Sequence, residues 1–105
     1  MNIGDKKISA VEFHREFTRT GRGEHAIFSG RKPLLDKLFA EGIPIYCDQS
    51  YYVHEQEYDL VTKVGEHYAC DCYITFEDWR DCHYFSEWAD KDGNRVWLMT
   101  GGRYD

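Results

Sequence analysis

Proline is scarce in this chain of 105 residues: Pro33 and Pro44 are its only two, and no Pro-rich or other low-complexity tract and no internal repeat interrupts it. Also missing is any apolar run near the roughly twenty residues that a membrane helix needs. The start, MNIGDKKIS, lacks the basic-then-apolar pattern of a secretion signal. A soluble, intracellular single domain spanning 1–105 is therefore expected, with no membrane partner. No glycine-rich phosphate cradle is present either. Thr20-Gly21-Arg22-Gly23 has too few glycines in the right context, and Gly101-Gly102-Arg103 falls at the chain end.

Basic residues are thin in the second part of the chain. Residues 1–42 carry eight Lys/Arg against six Asp/Glu, whereas 43–105 carry five against thirteen, a balance of +2 and −8. Phosphate binding needs a basic surface, so direct nucleic-acid binding is disfavoured. An acidic face suits a protein partner with a basic surface, and it also keeps a small protein soluble. Glu55, Glu57, Asp59, Glu77, Asp78 and Asp81 are the candidate contact residues. Solvated acidic loops explain them better than an acid/base pair, because no apolar surround that would shift a pKa stands beside them.

What the chain does have is aromatic side chains: eight Tyr, six Phe and three Trp, within 42% apolar residues. That is enough for a real core. Ser9 with Glu12 three residues on forms a capping box, and Ile8 with Phe13 a staple, which predicts a helix carrying Phe13 and Phe17 on one face and ending at Gly21. A second helix is expected from near Pro33, with Leu34, Leu35, Leu38 and Phe39 at helical spacing and Gly42 as its stop. Residues 24–29 fit a short strand or a loop.

From residue 43 the period changes to two: Ile43, Ile45 and Cys47; then Tyr58, Leu60, Thr62 and Val64; then Tyr68, Cys70, Cys72, Ile74 and Phe76. Asp92-Gly93-Asn94 marks a hairpin turn, and Thr75 is a possible cap for a short helix over 76–82. The expected fold class is α+β, with two N-terminal helices packed on an antiparallel sheet formed by residues after 43. The outer face of that sheet would carry Asp59, Lys63, Glu66 and Asp71.

Three of the four cysteines and two of the five histidines lie in HYACDCYITFEDWRDCHYF, residues 67–85. On a strand Cys70 and Cys72 point the same way, so their sulfurs can converge on one ion. Zinc takes four ligands in a tetrahedron. Cys82 would be the third, and Cys47, His83 or His67 the fourth; spacing does not choose among them. Such a closed site would be structural. Burial as small apolar side chains also explains Cys70 and Cys72, though not Cys82 in its polar setting. Cys82-His83 as a nucleophile pair is disfavoured, since sequence neighbours splay apart. His14 and His25 read as surface or satisfied histidines, with His54 less certain.

Length, net charge, the absence of a catalytic signature and the Cys70, Cys72, Cys82, His83 cluster together resemble the small acidic anti-CRISPR proteins encoded by phages. That group includes a zinc-containing inhibitor of the type II effector nuclease. The resemblance implies a non-enzymatic inhibitor in the host-cell cytoplasm that binds a basic lobe of the nuclease and blocks nucleic-acid loading. The group shares no common motif, so no residue role transfers by position. Two other classes are a small zinc- or thiol-dependent enzyme, and a structural adaptor domain of a phage or bacterial assembly.

Overall fold

Ser9 ends one element and starts the next. Its extended backbone closes β1 (Lys7–Ser9), while its hydroxyl accepts the Glu12 N–H at 3.1 Å and caps α1 (Ala10–Glu16). The computed structural model describes residues 4–26, 31–48, 56–70 and 81–103. Beyond α1 come β2 (Thr18–Ala26), α2 (Arg31–Ala40), β3 (Ile45–Asp48), β4 (Glu57–Leu60), β5 (Thr62–Val64), β6 (His67–Ala69), β7 (Asp81–Ala89) and β8 (Arg95–Arg103). Six strands form one sheet in the order β1-β4-β3-β8-β7-β2, and β5 and β6 form a separate two-stranded sheet. Every pair is antiparallel except β3 with β8, where Cys47 lies beside Met99 in a parallel ladder.

Strand alternation divides the core in two. Ile45, Cys47, Met99 and Phe85 face α2, where Leu35 and Leu38 complete the cluster with Val61 and Tyr68. Tyr46, Tyr58, Val96 and Leu98 face the other way, against Ile8, Ala10, Phe13 and Phe17 around α1. Phe13 is fully buried and meets Tyr46, Tyr58 and Trp88 edge-on, at centroid distances of 5.9, 5.1 and 5.5 Å. Such aromatic contacts add about 0.5–1.5 kcal/mol each beyond their buried area. Buried Tyr46 satisfies its hydroxyl at the chain start, accepting the Gly4 N–H at 3.1 Å and donating to the Asp5 carbonyl at 3.0 Å.

The expected arrangement of two N-terminal helices on a sheet built only after residue 43 is not what forms. Both sheet edges come from the N-terminal part, β1 on one side and β2 on the other, and the two helices lie on opposite faces. β1 has three residues, too few to show a period. β2, TRTGRGEHA, has no apolar alternation because it is an edge strand, and its register against β7 shifts between Arg19 and Glu24. Gly21 does not stop a helix. α1 ends at Glu16 because Thr18 enters the ladder opposite Ala89, and Gly21 (φ 76°) sits within the bulge instead.

Elsewhere local chemistry and structure agree. Gly42 (φ 74°) does terminate α2, with its N–H bonded to the Phe39 carbonyl and that of Ile43 to Leu38. The 92–94 turn joins β7 to β8, with the Asp90 carboxylate accepting the N–H groups of Asp92 and Asn94, both at 2.9 Å. These bonds, the Asn94 side chain foremost, hold Asp90 below the usual carboxylate range. The alternative helix over 76–82 gives way to strand from Asp81 onward, and 76–80 lie outside the described residues. Among the described residues no helix is long and apolar enough to cross a membrane.

Replacing Phe13 by Ala is expected to cost about 3–5 kcal/mol in urea unfolding, because the cavity opens beneath three rings. Ser9→Ala should cost about 1 kcal/mol through the lost cap. Val11→Ala, at a side chain 78% exposed, should stay within about 0.5 kcal/mol.

Candidate functional site

The registers bring acidic positions from distant parts of the chain to one end of the large sheet. β3 ends there at Asp48, β4 starts there at Glu57, and β7 starts there at Asp81, opposite Arg103 of β8. Glu57 is half-buried opposite Ser9. Asp48 is half-buried and accepts the Gln56 amide at 2.8 Å. Of the other candidate contacts, Glu55, Glu77 and Asp78 lie outside the described residues, as does the side chain of Asp81. Asp59 is 2% exposed. It stands opposite Cys47 inside the sheet, on the face turned toward α2, rather than on an outer surface.

The cysteines separate in the same way. Cys47 is 1% exposed at the centre of the α2-side cluster, where its thiol donates to the Asp48 carbonyl at 3.8 Å. Cys70 follows β6 and packs, half-buried, against that same cluster. His67 is exposed in β6, opposite Val64. Cys82 and His83 pair their backbones with Gly102 and Gly101, so β8 stands between them and Cys47's strand; their side chains are outside the described set. Cys72 and Asp71 also lie outside it. Among the described residues no three His, Cys, Asp or Glu side chains come together to hold a metal. Of the expected ligands the fold thus brings Cys47 and Cys70 to one apolar cluster, a dry setting that suits a closed thiolate site and core cysteines equally.

A second polar group lies between α2 and the β5–β6 hairpin. The Tyr68 hydroxyl donates a hydrogen bond to Asp36, whose other oxygen receives Lys32 at 3.4 Å. The Tyr68 ring packs on Phe39 at 4.9 Å, and the Lys63 ammonium lies 5.7 Å above it. An open cleft of about 380 Å³ is lined here by Lys32, Asp36, Phe39, Lys63, Glu66 and Tyr68. Burial first, then the Asp36 carboxylate, pushes the Tyr68 phenol up to about 12. The same bond, as the leading cause, holds Asp36 below its ordinary 3.8.

Sequence reading missed this group, because 32 residues separate Asp36 from Tyr68. The one local signal was the Lys32/Asp36 spacing of four on a helix. On the opposite face His14 is a satisfied surface histidine, as expected: its Nε2 shares a hydrogen bond with Tyr58 Oη at 2.8 Å. Burial, with the negative Asp48 nearby, pushes the Tyr58 phenol up to about 12 as well. His25 lies in β2 opposite Phe85, with its side chain outside the described set, and His54 lies outside the described residues.

No protein-family model, curated protein or solved structure matches this chain.

The shifts of Asp36 and Tyr68 have opposite signs. A carboxylate held below 3.8 contributes stability that is complete above that value and disappears as the pH falls through its lower, folded value. A phenol raised from 10.0 to about 12 contributes stability that is complete below 10 and is lost between 10 and 12. Urea midpoints measured against pH should therefore fall at both extremes. In Tyr68→Phe both slopes should flatten, with Tyr46 and Tyr58, both also raised, sustaining part of the alkaline loss.

Proposed function

We propose that this protein is an inhibitory binding protein of the anti-CRISPR kind. Its acidic sheet end docks on the basic nucleic-acid-binding surface of a type II effector nuclease and blocks nucleic-acid loading. The observation that carries this reading is the gathering of Asp48, Glu57 and Asp81 at one end of the sheet, within a region whose balance is −8. Acidic positions gathered at one end of a sheet can match the charge of a phosphate backbone, and charge complementarity speeds encounter and sets register more than it adds affinity. The reading includes a structural zinc held by Cys70, Cys72 and Cys82, with Cys47, His83 or His67 as the fourth ligand. When bound, the ion would supply folding free energy and no chemistry.

Reversing Asp48, Glu57 and Asp81 to Lys should lower the association rate with a purified type II effector at least about tenfold at low salt. Raising the ionic strength should shrink the difference. Equal association rates for the parent and the reversed protein, or no binding by either, would remove this proposal.

Protein purified without added metal should contain about one equivalent of zinc, lost on Cys→Ser change at positions 70, 72 and 82. Zinc kept in Cys47→Ser would leave His83 or His67 as the fourth ligand. Metal-free parent protein would return all four cysteines to packing roles.

A further inference from the structure

We infer that the β5–β6 hairpin is a flap, latched by Tyr68, which opens ahead of global unfolding and exposes the cluster that holds Cys47. Among the described residues its two strands of three residues pair with each other and with no strand of the large sheet. An isolated two-stranded sheet is marginally stable in water. All of β5 is exposed, and Val64 is 63% exposed.

The hairpin is also undercut. Clefts of about 380 and 340 Å³ run between it and the body, sharing Phe39 and Lys63 as walls. Its foot is fixed, because Val61, buried in the α2-side cluster, bonds through its N–H to the Ile45 carbonyl at 2.8 Å. Just past that foot the Thr62 hydroxyl donates to the Ala69 carbonyl at 3.4 Å, so the two strands move as one unit.

Within β5 and β6, Tyr68 is the residue that is buried, at 3% exposure. Its ring is seated on Phe39 and its hydroxyl is bonded to Asp36, so a helix side chain and a helix carboxylate both hold Tyr68, and the hairpin with it, against α2. Tyr68 belongs to the same apolar cluster as Cys47 and Val61, and Cys70 packs against that cluster. Lifting Tyr68 therefore admits solvent to a thiol that is 1% exposed in the closed state. Local openings of this kind lie below the global unfolding free energy and involve contiguous units with few buried contacts.

Two measurements test the flap. In the parent protein, the backbone amides of Val64 and His67, the pair that flanks the two-residue turn, should exchange with solvent at least about tenfold faster than those of Tyr46 and Phe85. Cys47 alkylation by iodoacetamide, followed by peptide mass spectrometry, should be about tenfold faster in Tyr68→Phe and Asp36→Asn than in the parent, with the global stability read from the urea midpoint falling by that same factor and no more. Tyr58→Phe removes a phenol hydroxyl from the other cluster and should leave Cys47 alkylation at the parental rate. Uniform amide exchange across the hairpin and the central strands would overturn the inference. So would Cys47 alkylation that follows the urea midpoint through all three variants.

Discussion

The parallel ladder between β3 and β8 is the constraint on which the rest of the molecule depends. These two central strands are covered on both faces of the sheet, so each presents apolar side chains in both directions. Ile45, Tyr46 and Cys47 do this on β3, as do Val96, Trp97, Leu98 and Met99 on β8. One covering layer is then not enough. α1 supplies Phe13 to one face and α2 supplies Leu35 and Leu38 to the other. The same pairing sets β4 and β7 on the outer sides of the central pair and leaves β1 and β2 as edges.

Those edges are handled differently. β1 is only three residues long, and its Ile8 is anchored over Tyr58. β2 is nine residues long, and it is interrupted by a register shift where Thr20 donates to the Glu87 carbonyl at 3.2 Å. Short length and bulging both discourage pairing with another chain. Buried Glu87 is matched by Arg95 at 3.2 Å, so the charge is not stranded inside the sheet.

The acidic end and the cysteine-bearing cluster are products of this order rather than of local motifs. Asp48, Glu57 and Asp81 are brought to one end because β4 and β7 run opposite to β3 and β8. Cys47 and Cys70 approach one cluster because the hairpin folds back over the α2 side. Asp59 shows the limit of a charge count: an acidic residue that composition assigns to the surface is buried by its place on β4, under the α2-side layer.

The sequence by itself determined whatever short-range chemistry decides. The Ser9 cap, the Gly42 stop and the Asp90 to Asn94 turn each depend on neighbours within a few residues. Tertiary structure alone decided that Lys7–Ser9 and Thr18–Ala26 are strands, that the run from Tyr58 to Val64 divides at Val61 between two sheets, and that Asp36 meets Tyr68. The physical reason is the same for all three. Ladder hydrogen bonds and contacts between residues tens of positions apart outweigh weak local preferences, and a strand of three residues or an edge strand of glycines and charges has little preference to outweigh.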